Sequence, residues 1–187
     1  MSRRICADDS VLVVVDVQPH FLDKVDSAVA TALVGRVAWL VELSQRLGVC
    51  VVVTEEEPER NGATHPLVSG VLPPSHPRHR KATFGLAGTS SILQAVQSHA
   101  RSTVVLVGLE TDVCVAQSAL GLLDEGLRVA VVSDAVASPG SAHRQGLQRM
   151  RQEGVTLVGT KGLAYEWIGS VDRLSLLPTP PPPGLVL

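Results

Sequence analysis

Four short, uninterrupted runs of β-branched and aliphatic residues limit the folds that this chain can adopt. The first reads Ser-Val-Leu-Val-Val-Val-Asp, and the four runs occupy residues 10–16, 49–54, 103–108 and 127–133. Strands that are apolar on both faces are typical of the centre of a parallel sheet, where helices cover each face. The runs therefore predict buried parallel strands.

Helical patterns separate these strands. The longest is an amphipathic stretch over residues 27–47, with Ser27 as its cap and Gly48 at its end. Other helices are predicted at about residues 90–100, 113–125, 141–153 and 164–168, and weaker strands at 78–81 and 155–158. Alternating strands and helices require right-handed crossovers. We therefore expect an α/β protein with three layers (α/β/α), built on a parallel, Rossmann-like sheet of about six strands with helices on both faces.

The length of 187 residues suits one domain with a substantial core. We place that domain at residues 1–177. Residues 55–77, rich in Pro, Gly, Glu and His, are predicted to form an irregular loop with one helical turn near residues 65–68. Residues 178–187 are rich in proline and cannot join a sheet or a helix, so we expect a flexible tail there.

The composition narrows the classes of partner. A formal charge of −2 gives no electrostatic reason to expect nucleic acid or an anionic membrane. We expect no apolar run to reach the roughly 20 residues that span a bilayer, and hence no membrane partner. Three cysteines without paired spacing, and no signal peptide, favour a reducing, cytoplasmic location. A small molecule is the expected partner.

Cys114 is the first candidate for chemistry. It lies between the strand at residues 103–108 and the helical run at 113–125. The amino end of a helix favours a thiolate, and the carboxyl end of a strand is where ligands bind in open α/β sheets. The simpler interpretation is a small buried apolar residue, which describes most free cysteines.

Asp16 and Lys81 are the other candidates. Asp16 closes the first strand, where a carboxylate is costly unless it is paired or lies in a site; a turn or capping role is the alternative. Lys81 stands in a basic stretch that reads equally well as a solvated loop. An acid, a base and a thiol near strand ends are together the parts of a nucleophilic acyl-transfer site.

Several motifs carry a resemblance to a known family. They are Val-Val-Asp16-Val-Gln18 with Phe21, Lys81-Ala-Thr-Phe84, the segment 108–119 (Gly-Leu-Glu-Thr-Asp-Val-Cys-Val-Ala-Gln-Ser-Ala), and the segment 131–138 (Val-Val-Ser-Asp-Ala-Val-Ala-Ser). Together they span roughly residues 10 to 170 in the family's order. The chain resembles the isochorismatase-like hydrolases, also called the cysteine hydrolase superfamily, which includes nicotinamidases and N-carbamoylsarcosine amidohydrolase.

The resemblance implies a role for each position. Cys114 would attack a carbonyl carbon and form a thioester. Asp16 would take the thiol proton and return it to the leaving amine, and Lys81 would keep Asp16 ionised and favour the thiolate. A cis peptide at Leu109-Glu110 would turn the backbone N–H groups of Glu110 and Cys114 toward an oxyanion hole.

The resemblance also implies that Phe21 and Gln18 bind substrate and that the protein is a homo-oligomer.

Departures from the family pattern shape the expected activity. Nicotinamidases carry an Asp-x-His metal element after the second strand, whereas residues 54–65 here contain no such element. We therefore expect no metal and no cofactor, and interpret the glutamates at 55–57 as a solvated acidic loop. The same loop resembles the isochorismatase domain-containing branch, in which Glu55 and Thr64 are candidates for shaping the pocket.

The predicted activity is hydrolysis of a small amide, carbamoyl or related carbonyl compound. Hydrolysis of a vinyl ether through Asp16, as in true isochorismatases, is one alternative. A non-catalytic or redox-responsive member of the fold is the other.

Overall fold

A computed structural model describes residues 3–187, and the apolar runs form its central sheet. The sheet has six strands in the order β3-β2-β1-β4-β5-β6, and every neighbouring pair is parallel. The strands are β1 (Ser10–Val15), β2 (Cys50–Glu56), β3 (Arg78–Lys81), β4 (Thr103–Leu109), β5 (Arg128–Ala137) and β6 (Thr156–Val158). This confirms the predicted parallel sheet and gives it the strand order of dinucleotide-binding folds.

Helices cover both faces of the sheet. Their bounds are α1 (Pro19–Leu22), α2 (Ser27–Leu47), α3 (Pro58–Asn61), α4 (Pro66–Ser69), α5 (Ser90–Gln97), α6 (Ala116–Asp124), α7 (Ala142–Gln152) and α8 (Thr160–Ile168). Buried residues of α2 and α8 form one core with β1 residues Leu12 and Val14. Buried residues of α5, α6 and α7 form the other core with the alternate β1 residues. The central strands β1 and β4 are buried along their whole length because each of their faces has its own core.

Helix α2 begins and ends at residues with clear capping roles. Asp26, one residue before the expected Ser27, caps it by accepting a hydrogen bond from the Ala28 N–H at 2.8 Å. Gly48 ends it with φ of +71°, a conformation that glycine adopts without steric cost. By length and composition α2 is apolar enough to cross a membrane, contrary to our expectation that no segment reaches that length. In the structure its apolar face packs on the sheet.

Strand β2 is longer than the sequence predicts. We expected it to end at Thr54, but it continues to Glu56 because β3 supplies a parallel partner. Glu55 lies opposite Arg80, and Glu56 lies opposite Lys81. Glutamate has a low intrinsic preference for strands, so only the neighbouring strand explains the extension. The predicted acidic loop is therefore in part an ordered strand end.

The Pro-rich segment lies along α2. The indole N–H of Trp39 donates to the backbone oxygen of Pro178 at 2.8 Å, and Pro182 is buried beside Gly35. Leu185 packs, partly buried, against the core next to α2. The segment forms no helix or strand, as expected. These contacts attach it to the domain, and its flexibility stays a prediction.

Candidate active site

The site lies where the ends of β1 and β4 approach each other at the carboxyl edge of the sheet. Gly108 has φ of +117°, and a Cβ at this position would lie 2.0 Å from the backbone oxygen of Val15. Only glycine allows this approach. Strand order reverses its direction of growth between β1 and β4, and ligands bind at such points in open α/β sheets.

Asp16 and Lys81 form a buried ion pair at this point. Lys81 Nζ lies 2.6 Å from Asp16 Oδ2, and both side chains are fully buried. The hydroxyl of Thr54 donates to Asp16 Oδ1 at 2.8 Å. Burial raises the pKa of Asp16, although Lys81 and Thr54 act in the opposite direction. Burial is the largest influence on the pKa of Lys81 and lowers it, but Asp16, Cys114 and Glu56 together outweigh burial and the pKa is raised.

Glu56 is a second carboxylate in the same cluster, and the sequence did not identify it. Its Oε2 lies 3.0 Å from Lys81 Nζ and accepts a hydrogen bond from the Cys114 thiol at 3.4 Å. Lys81 also donates to the backbone oxygen of Thr83 at 3.1 Å. The ammonium group of Lys81 thus contacts three oxygen atoms, from Asp16, Glu56 and Thr83.

Cys114 occupies a π-helical turn (Thr111–Val115) that leads into α6. The preceding Leu109-Glu110 peptide bond is cis, as the resemblance implies. Two contacts hold the turn against neighbouring elements. Thr111 Oγ1 lies 2.9 Å from His143 Nδ1 of α7, and the Ser138 hydroxyl donates to Asp112 Oδ1 at 2.6 Å.

The surroundings of Cys114 disfavour the thiolate that the sequence led us to expect. Burial raises its pKa well above the usual value for cysteine, and the negative charge of Asp16 raises it further. Lys81 acts in the opposite direction, while Glu56 adds to the increase. A thiolate here would be a third negative charge facing a single ammonium group, so it is disfavoured despite the adjacent helix.

Three of these side chains are of the types that can bind a metal ion. Oxygen atoms of Asp16 and Glu56 and the sulfur of Cys114 lie within 4.8 Å of one another, as metal ligands do. Lys81 Nζ, however, lies 2.6 and 3.0 Å from the two carboxylates. A divalent cation among these atoms would meet the ammonium charge at close range. The donor set fits a buried lysine better than a metal ion.

A cavity of about 200 Å³ opens beside the thiol. It is lined by polar, charged and aromatic residues: His20, Phe21, Lys24, Glu56, Glu57, Arg60, Asn61, Phe84, Glu110, Val113 and Cys114. Lys24 Nζ lies 4.8 Å from the centre of the Phe21 ring and 3.5 Å from Glu110 Oε1. Phe21 thus lies where the resemblance places it, and its contact with substrate stays a prediction.

Gln18 does not line this cavity, and its contact with substrate stays a prediction. It is fully buried. Its amide donates to the backbone oxygens of Glu56 at 3.0 Å and Gly62 at 2.6 Å, and its Oε1 accepts from the Glu56 N–H at 2.8 Å. Because these bonds fix both backbone groups of Glu56, Gln18 positions the end of β2.

Glu55 and Thr64 also connect β2 to the loop that follows. The Thr64 N–H and hydroxyl both donate to Glu55 Oε1, at 2.8 and 2.6 Å. Both residues are buried. They fold the loop back on the strand and do not line the cavity beside Cys114.

Comparisons with known proteins place the chain in a family. Residues 10–162 match the family described as the isochorismatase domain. Isochorismatase domain-containing protein 2 of Bos taurus is 32% identical over 173 residues, which cover 91% of this chain and 80% of the relative. The chain therefore belongs to the isochorismatase family.

Solved structures share the fold along nearly the whole chain. The MAR1 ribonuclease of Caenorhabditis elegans matches with a TM-score of 0.83 at 28% identity, covering 98% of this chain and 97% of that chain. The YcaC gene product of Escherichia coli, described as an octameric hydrolase of unknown specificity, matches with a TM-score of 0.84 at 22% identity. That match covers 95% of this chain and 90% of the other.

The structure thus brings together Asp16, Lys81 and Cys114, which the sequence singled out. Glu56 was missed because it stands among three consecutive glutamates that look alike in the sequence. Its pairing with Lys81 across β2 and β3 distinguishes it from Glu55 and Glu57. The alternation of side chains along a strand was the available signal, since neighbouring glutamates in a strand point to opposite faces.

Proposed function

We propose that this protein is a cysteine hydrolase that acts on a small amide, carbamoyl or related carbonyl compound. Cys114 attacks the carbonyl carbon and forms a thioester, the amine leaves with a proton, and water then releases the acid. Asp16 serves as general acid and base, and Lys81 supplies the compensating charge. The observation that carries this proposal is a cluster beside a cavity, in which Lys81 pairs with Asp16 and Glu56, and Glu56 contacts the Cys114 thiol.

The cavity supports a small substrate. Its volume of about 200 Å³ is below the roughly 300–1,000 Å³ of sites for drug-sized ligands. Its cations are paired with its glutamates: Lys24 with Glu110 at 3.5 Å, and Arg60 with Glu57 at 2.9 Å. A substrate of a few non-hydrogen atoms with little net charge suits such a lining.

A ribonuclease activity, named for the C. elegans neighbour, has less support here. Proteins that bind RNA or DNA present a positive surface to the phosphates. The formal charge of this chain is −2, and the cavity lining has three glutamates against one lysine and one arginine. We therefore favour a small molecule over nucleic acid.

A redox-responsive role and vinyl-ether hydrolysis also have less support than amide hydrolysis. A redox-responsive thiol needs an exposed thiolate, whereas Cys114 is 2% exposed and its pKa is raised, first by burial. Vinyl-ether hydrolysis through Asp16 does not use the thiol that the site holds against Glu56.

The proposal also includes a homo-oligomeric assembly and a cytoplasmic location. The octameric description of the E. coli neighbour supports a homo-oligomer for this chain too. The free cysteines support a reducing, cytoplasmic location, because disulfides are rare in that compartment.

Acylation by 4-nitrophenyl acetate tests the proposal. We expect release of 4-nitrophenolate with an acetyl thioester on Cys114, found by peptide mass spectrometry. Cys114→Ala should lower the rate about 10⁴-fold or more, as loss of a nucleophile does, and Asp16→Asn should also abolish turnover. Cys50→Ala, which removes a partly buried thiol of β2, is the matched control. Turnover that survives Cys114→Ala would reject the thioester mechanism.

A further inference from the structure

We infer that Glu56 is the group that takes the proton from Cys114 as the sulfur attacks, while Asp16 holds Lys81 in place. This inference rests on the proposed cysteine chemistry and moves both proton transfers of thioester formation from Asp16 to Glu56. It adds to the site a catalytic carboxylate that lies on β2, outside the motifs that identify the family.

The contacts of the two carboxylates distinguish their roles. Glu56 Oε2 is the acceptor of the thiol hydrogen bond, with an S···O distance of 3.4 Å. Asp16 is fully buried, and each of its oxygens has a close partner: the Thr54 hydroxyl at 2.8 Å and Lys81 Nζ at 2.6 Å. Glu56 is 15% exposed on the cavity. It therefore reaches both the thiol and the place where a substrate would bind.

The charges around Glu56 suit a base. Lys81 is shared between Asp16 and Glu56, so one ammonium group faces two carboxylates. The other charged groups facing the cavity are Lys24, Glu57, Arg60 and Glu110, with His20 beside them. Lys24 and Arg60 are paired with Glu110 and Glu57. When Glu56 takes the thiol proton, Asp16 is the one carboxylate that still faces Lys81. The thiolate exists only while it attacks the substrate.

Glu56 acts as a general base when the thioester forms and as a general acid when the amine leaves. The S–H bond breaks and its proton goes to Glu56 Oε2, while the sulfur electron pair forms the bond to the carbonyl carbon. When the tetrahedral intermediate collapses, the C–N bond breaks and Glu56 returns the proton to the amine. Because burial and the neighbouring carboxylates raise the pKa of the Cys114 thiol, a resting thiolate is scarce and a base at the moment of attack has a large effect.

Alkylation by iodoacetamide tests the inference without a substrate. The rate at Cys114, mapped by peptide mass spectrometry, is followed from mildly acidic to alkaline pH. In the wild-type protein we expect a level rate through the neutral range, because Glu56 removes the proton during attack. In Glu56→Gln the rate at neutral pH should fall about 100-fold or more. It should then rise about tenfold per pH unit, because only preformed thiolate reacts.

Two further variants separate the explanations. Glu59→Gln makes the same chemical change three residues away, on an exposed side chain that pairs with Arg80 and does not line the cavity, and it should keep the wild-type profile. Asp16→Asn should change the rate but keep the level neutral range. If the alkylation rate of Glu56→Gln is independent of pH through the neutral range, whatever its absolute value, the inference is overturned. A merely structural role of Glu56 would lower the rate without making it depend on pH.

The alkylation profiles test the role of Glu56 separately from the proposed hydrolase activity. A steep profile in Glu56→Gln with no acetyl thioester in the wild-type protein supports the proton transfer and rejects the hydrolase. A steep profile in Asp16→Asn and a level one in Glu56→Gln assigns the base to Asp16, and rejects the inference while the hydrolase stands. Thermal unfolding of each variant shows that the compared proteins are folded.

Discussion

Two charged clusters occupy carboxyl-end regions of this sheet, and they differ in charge balance. Around Asp134 of β5, one carboxylate meets one guanidinium: Arg36 Nε lies 3.7 Å from Asp134 Oδ2, and Thr160 donates twice to Asp134 Oδ1, at 2.7 and 2.8 Å. Around Lys81, one ammonium meets two carboxylates and a thiol. The first cluster is partly open to water, with side-chain exposures of 20% and 36%, whereas Asp16 and Lys81 are at 0%.

This difference separates a structural network from a reactive one. In the cluster around Asp134 each charge has its counterpart, and the hydrogen bonds connect α2, β5 and α8. In the cluster around Lys81 two carboxylates share one ammonium group in a largely buried site, where an unpaired charge is costly. Burial and these carboxylates raise the pKa of the Cys114 thiol. Perturbed pKa values of this kind are typical of reactive sites.

Removing the central cation should have the greatest effect. Lys81→Met leaves Asp16 and Glu56 without their shared partner, and we expect a loss of about 3–5 kcal/mol in the free energy of unfolding. Turnover should also fall. Arg36→Met is the matched control, and should cost about 1 kcal/mol or less because that pair is partly exposed. Urea unfolding measures both, and equal losses would contradict the contrast between the clusters.

A smaller effect is expected from the balanced cluster. Asp134→Ala removes the acceptor of both Thr160 hydrogen bonds, and should lower the free energy of unfolding by about 1–2 kcal/mol. Because Asp134 does not line the cavity beside Cys114, the 4-nitrophenyl acetate rate should stay within about twofold of wild type. A loss of rate at unchanged stability would show that the two clusters are coupled.

The weakest effect is the dependence of stability on alkaline pH. The folded protein raises the pKa of Cys114 above its ordinary value of 9.0. The contribution of Cys114 to the free energy of unfolding is therefore complete below pH 9.0. It is lost as the pH rises toward the pKa of the folded protein, because the thiol of the unfolded chain ionises first. From about pH 8 to about pH 10 the thiol should account for a loss of about 1 kcal/mol. Cys114→Ala should remove this part of the loss in urea unfolding; an identical pH dependence in both proteins would contradict a raised pKa.

The amino-acid pattern alone predicts the sheet and three residues of the site. Runs such as residues 10–15 are apolar on both faces, and only a sheet with two covered faces buries them. Asp16 and Cys114 follow such strands closely, so their positions at the carboxyl edge follow from the local pattern. The family resemblance carried by the motif around Cys114 also implies the cis peptide at Leu109-Glu110, which the structure contains.

The chemistry at these positions depends on how the strands pack. Local sequence favours a Cys114 thiolate, because a helix begins there, but burial and the carboxylates at the ends of β1 and β2 reverse that preference. Three consecutive glutamates look equivalent until β3 pairs with β2 and turns one of them toward Lys81. Gln18 lies in a motif of the site, yet it binds the backbone of Glu56 and Gly62. The pKa of a thiol depends on charges within a few ångströms, and residues 16, 56, 81 and 114 become neighbours only when the strands pair.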